Sequence, residues 1–166
     1  MNRQQVIRRV VFALVILVLV MSVPSSLRYA YQHGGFYLFS KQFLIDLPKR
    51  LNGPGRFRFI LQPAVAIFLG IRAGIADARA GRPPYIFSLL SDGKHRWELM
   101  KEGFAQVSTL VAFAILLDAV SQWLILQAIY PGPALVVGPV LIAFPYSASR
   151  ALANRYGRGA KRAQTA

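Results

Sequence analysis

Residues 103–130 read GFAQVSTLVAFAILLDAVSQWLILQAIY, 28 residues carrying a single charge, Asp118. At 1.5 Å per residue such a helix is about 42 Å long, more than the ~30 Å hydrocarbon core of a bilayer. The run predicts a transmembrane helix with room to tilt. Trp123 and Tyr130 lie toward one end, where belt aromatics belong. Pro131-Gly132-Pro133 reads as a tight turn, and the apolar run 134–149 begins at once, so the two runs predict a helical hairpin. Gly138-Pro139 and Pro145 predict kinks in its second arm.

Two further apolar runs lie upstream. Val10–Val23 is short alone. With Val6 and Ile7 added and Arg8 and Arg9 snorkelling, it reaches spanning length over 6–24. A cleaved signal peptide is the competing reading, but Val23-Pro24-Ser25 and Ala30 make poor cleavage sites. Residues 57–76 hold the other run, bracketed by Arg56, Arg58 and Arg72. It predicts a second span that tolerates Pro63, with a re-entrant segment as the alternative.

The composition agrees. The chain has 166 residues, 55% of them hydrophobic and 16% charged, with a mean hydropathy of +0.42. A soluble domain carries about 25% charge, so a soluble globular protein is excluded. There is no Cys, which excludes disulfides and thiolate chemistry. The 20 basic residues outnumber the 6 acidic ones, for a net charge of +14. They gather at the ends of apolar runs, which suits positive-inside topology and anionic headgroups rather than nucleic acid. With four spans and the N-terminus inside, 14 of the 20 basic residues fall on the inner side. The expected fold is therefore an all-α membrane protein of four spans, 6–24, 57–76, 103–130 and 134–149. A basic cytoplasmic tail, 150–166, completes it.

Between the first two spans, Phe36, Phe39, Phe43 and Leu47 recur at helical spacing over 36–47. This predicts an amphipathic interfacial helix ended by Pro48. In the second span and its sequel, Ala66, Gly70, Gly74 and Ala78 are spaced by four. On a helix they form a smooth ridge for close helix packing.

Asp118 is the sharpest chemical signal. A charge at the centre of a span costs about 2.5–3.5 kcal/mol on insertion scales, so it calls for a partner. Gln122 lies one turn on, Gln62 is at matching depth, and Arg58 is within reach from the outer side. The cluster Asp118, Gln122 and Gln62 reads as a polar clasp between helices, or alternatively as a proton relay. Under the clasp reading Asp118→Asn is tolerated, whereas Gly70→Leu or Gly74→Leu breaks packing. His95, Glu98 and Glu102 share a helical spacing, but with no second His nearby they read as a solvated face rather than a metal site. Sequence motifs for nucleophilic hydrolysis, phosphate loops, dinucleotides and zinc are absent. No catalytic residue, metal or cofactor is expected. Arg150, Arg155, Arg158, Lys161 and Arg162 in the tail are expected to contact anionic lipid.

The stretch ILQPAVAIFLGIRAGIADARAGRPPY, residues 60–85, resembles small polytopic inner-membrane proteins of proteobacteria through Gln62-Pro63, Gly70-Ile71-Arg72 and the run from Asp77 to Pro84. The resemblance implies a bacterial inner-membrane location and no particular activity, and it carries over no functional residue. The functional expectation is a non-enzymatic accessory or scaffold component that contacts a membrane partner or its own copies. The alternative is an oligomeric channel or small transporter with Asp118 in its path.

Overall fold

The computed structural model describes residues 3–82 and 96–164, the side chains of residues 96, 98–100, 102 and 160–164 excepted. Among the described residues there is no strand, and five α-helices follow one another. They are α1 (Arg3–His33), α2 (Lys41–Asn52), α3 (Arg58–Arg79), α4 (Arg96–Leu126) and α5 (Pro131–Gln164), with a 3₁₀ turn at Tyr37–Phe39. Helices α1, α3, α4 and α5 are each long and apolar enough to cross a membrane. A lipid solvent favours this solution because every backbone N–H and C=O must be satisfied within its own segment.

The helix ends follow local chemistry. Helix α1 closes on Gly34, whose φ of 71° is open to glycine and whose N–H bonds Ala30 O at 2.9 Å. Ser40 caps α2, its Oγ accepting from Phe43 N at 3.2 Å and donating to Tyr37 O at 2.7 Å. At the end of α3, Gly81 N bonds Ala78 O and Arg82 N bonds Asp77 O, a Schellman closure around Gly81 at φ 69°. Pro131 opens α5 at the position where a missing N–H does no harm.

Five boundaries differ from the sequence reading. Helix α1 runs through Pro24 to His33, and α2 runs through Pro48 to Asn52. A proline deletes one hydrogen bond, and the residues beyond each of these two continue the helix. The cap at Ser40 also moves the start of α2 from 36 to 41. Helix α4 stops at Leu126 rather than 130 because Gln127 turns left-handed, with φ 52°. The largest difference is α5, which continues past 149 to Gln164, so residues 150–164 are helix rather than a loose tail.

The chain folds into two units, residues 1–60 with 109–141 and residues 61–108 with 142–166. The first unit buries small and branched residues, among them Val11 and Val15 of α1 and Val111, Ala112, Ala114 and Ile115 of α4. Gly138 of α5 lies so close to α4 that an added Cβ would sit 3.0 Å from the backbone of Ala114 and Ile115. The second unit buries Ala66, Ala78, Val107, Ile142 and Tyr146. Large apolar side chains face outward in both units, for example Met21 and Ile60 in the first and Phe68 and Phe144 in the second. Most described basic residues are exposed, but Asp46, Arg50, Arg58 and Asp118 in the first unit and Asp77 and Arg150 in the second lie inside. That inversion suits a hydrocarbon surround and would be unfavourable in water.

Candidate functional site

Three of the six acidic residues, Asp46, Asp77 and Asp118, have described side chains, and all three are buried and paired with basic groups. Each unit holds one ion cluster built around an arginine and an aspartate that are distant in sequence.

In the first unit the centre is Asp118 of α4, 1% exposed. Its Oδ2 accepts from Arg50 Nη2 at 3.0 Å and from Gln122 Nε2 at 2.7 Å, and its Oδ1 accepts from Arg58 Nη1. Arg50 comes from α2 and Arg58 from the first residue of α3. Both guanidiniums are buried, and Arg50 Nε and Nη1 and Arg58 Nε and Nη2 have no hydrogen-bond partner. Their charge is spread partly over aromatic faces: Arg58 lies 4.6 Å from the Phe59 ring centre and Arg50 5.8 Å from that of Phe43. Gln122 also braces the turn after α4. Its Oε1 accepts from Tyr130 N at 2.8 Å, and its Nε2 donates to Tyr130 O at 3.2 Å.

An aromatic group adjoins this cluster. Tyr37 stacks on Tyr130 with ring centres 4.1 Å apart, and Tyr29 meets both rings edge-on. Tyr37 donates its hydroxyl to Asp46 Oδ2 at 2.9 Å. Burial raises the Tyr37 phenol above its ordinary value, and the neighbouring Asp46 carboxylate adds to the effect. Burial also works to raise the Asp46 carboxyl, but hydrogen bonds from Lys49, Gln42 and Tyr37 outweigh it and hold the group below its ordinary value. In α2, Asp46 and Arg50 therefore lie on the buried side, while Leu44 and Ile45 are exposed. The aromatic face expected over 36–47 is divided: Phe36 and Phe39 are exposed and Phe43 is half-buried.

In the second unit Asp77 of α3 accepts from Arg150 Nε of α5 at 2.6 Å, and Arg82 Nη1 stands 3.7 Å from its other oxygen. Tyr146 donates to Gln106 and lies within 3.3 Å of Arg150 Nη1. Asn154 donates to Arg82 O at 3.1 Å. A polar cleft of about 370 Å³ opens on this cluster, lined by Arg72, Asp77, Arg82, Gln106, Tyr146 and Arg150.

The residues singled out in the sequence fall as follows. Asp118 and Gln122 come together one turn apart, with Arg58 beside them. Gln62 belongs to the second unit, and its buried amide has no hydrogen-bond partner among the described residues. Ala66, Gly70, Gly74 and Ala78 are all buried along one side of α3. Gly70 packs on Ser149 and Tyr146, and Gly74 on Arg150 and Ala153. Arg150 is not a lipid contact: it is 3% exposed and committed to Asp77. Arg155 is exposed and Arg158 half-buried, while the side chains of Lys161 and Arg162 lie outside the described residues. His95 and the side chains of Glu98 and Glu102 lie outside them as well. Arg50 and the Asp77–Arg150 pair were missed. The i,i+4 spacing of Tyr146, Arg150 and Asn154 on a continued α5 is the signal that points to the second cluster.

No protein-family model, curated protein or solved structure matches the chain.

Proposed function

We propose that the chain is a non-enzymatic accessory or scaffold component of a bacterial inner membrane. It would be a multi-pass protein with both termini in the cytoplasm, and α2 would lie near the outer surface. The observation that carries this reading is the state of Asp118. Both of its oxygens are bound, by two arginines and a glutamine, and the group is closed off from its surroundings. A relay needs a carboxylate with an open approach for its proton. A carboxylate clamped from three sides joins α2, the start of α3 and α4 instead. The basic-residue count supports the orientation further, because Asp118, bound to both Arg50 and Arg58, offsets one of the six positive charges on the outer connector.

The rival reading is a channel with Asp118 in its path. Reconstitution of the purified chain into vesicles holding a pH-sensitive dye separates the two. A scaffold leaves proton and ion leak at the level of protein-free vesicles. A leak well above that level, lost in the apolar triple variant Asp118→Leu, Arg50→Met and Arg58→Met, would overturn the scaffold reading. The triple variant suits the purpose because replacing a whole buried ion cluster by apolar groups is often close to neutral for stability.

A further inference from the structure

In the second unit, α3 and α5 enclose an apolar groove of about 770 Å³. One wall is Ile67, Ile71 and Ile75 of α3; the other includes Phe144, Leu152 and Tyr156 of α5. The two helices run parallel here, since Gly70 meets Ser149, Gly74 meets Ala153 and Ala78 meets Gly157. Both walls therefore end at the same level.

We propose that this groove holds one anionic phospholipid, with an acyl chain along its length and the phosphate at Arg79. Several features of the groove support that occupant. The stripe Ile67, Ile71 and Ile75 continues, at the same spacing of four, into Arg79. The apolar length, about 12 Å along α3 and about 18 Å along α5, matches the depth of one leaflet, half of a ~30 Å core. Arg79 is exposed and makes no ion pair or hydrogen bond with any described side chain. Tyr156, 77% exposed, stands at the same end, where a phenol meets headgroups. Helix α5 contains no acidic residue to repel a phosphate. A partner helix would match the apolar walls but not the basic end.

This site rests on the membrane reading above, and two measurements keep them apart. Carbonate washing of membranes tests residence: a chain released by the wash would overturn the membrane reading itself. Native mass spectrometry of the full chain in detergent, with phosphatidylglycerol or phosphatidylcholine of equal chain length, tests the site. The wild type is expected to retain one phosphatidylglycerol, preferred over phosphatidylcholine by about fivefold. Arg79→Glu should remove the preference, whereas Arg28→Glu, with the same change in net charge, should keep it. Ile71→Trp fills the groove and should weaken binding of both lipids. Circular dichroism checks that each variant is folded, and exposed Arg79 is a safe position for that purpose. A chain that stays in the membrane but keeps its preference in Arg79→Glu would overturn the site. So would an Ile71→Trp variant that dissociates an oligomer while binding lipid unchanged.

Discussion

Arg150 Nε donates to Asp77 Oδ2 at 2.6 Å, and both side chains are more than nine-tenths buried. This one pair converts an expected basic tail into the end of a packed helix. It also defines the first expected outcome. Arg150→Met leaves Asp77 buried with only the 3.7 Å approach of Arg82, a loss of about 3–5 kcal/mol. The double variant Asp77→Leu/Arg150→Met should recover much of that. Unfolding of both variants in mild detergent gives the comparison; equal losses in the single and double variants would count against a coupled pair.

Asp118→Asn should also be costly rather than tolerated. The amide keeps hydrogen-bonding capacity, which was the ground for expecting tolerance. It leaves two buried guanidiniums without a counter-charge, however, and about 3–5 kcal/mol is at stake. Thermal unfolding of Asp118→Asn should show a much larger loss than that of Gln62→Leu, whose amide has no partner to lose.

The α3 glycines should differ sharply from other glycines in the chain. A Cβ at Gly70 would collide with Ser149 Oγ, and one at Gly74 with Arg150 O. Gly74→Ala should cost about 1–3 kcal/mol by overpacking, and Gly70→Leu or Gly74→Leu more. Gly159, helical with open space around it, should accept Ala with a small gain of about 0.4–1 kcal/mol. A series of melting temperatures reads the contrast directly.

Acid should act through Asp46. Its folded-state value lies below the ordinary 3.8, so its stabilisation is complete above the unfolded-state value and fades as pH falls through the folded one. The melting-temperature gap between wild type and Asp46→Asn should be constant from neutral pH down to about pH 5 and then close. A gap that widens in acid would contradict the hydrogen-bonded carboxylate.

Single cysteines report orientation cleanly because the chain has none of its own. Labels at Gly35 and Ala128 should react from outside the cell, and labels at Trp97 and Thr165 only after the membrane is permeabilised. Gly35 and Trp97 on one side would mean that α3 does not cross.

Much of the fold was legible because lipid makes simple demands on sequence. Length and hydropathy locate the four long helices, and spacing by four exposes the α3 ridge. Asp118 with Gln122 was also readable, since i and i+4 share a face. Arg50 was not readable. It sits in a polar connector that looks solvated, and only the tertiary fold carries it to a residue 68 positions away. Pro24 and Pro48 misled because proline reads as a stop, whereas a helix supported by its neighbours continues past one lost bond. Arg150 misled because it begins a run of positive charge, and its role depends on a single acid on another helix.

The order of synthesis treats the two buried aspartates differently. Both arginines that meet Asp118 precede it in the chain, by 68 and 60 residues, so its counter-charges already exist when α4 emerges from the ribosome. Asp77 has the reverse history. Arg150 follows it by 73 residues, an interval of about 4–15 s at ordinary translation rates. Through that interval Arg82, five positions downstream, is the near cation available to it. Asp118 thus meets its cations as soon as it is made, whereas the pair in the second unit is completed only after the last helix has been delivered.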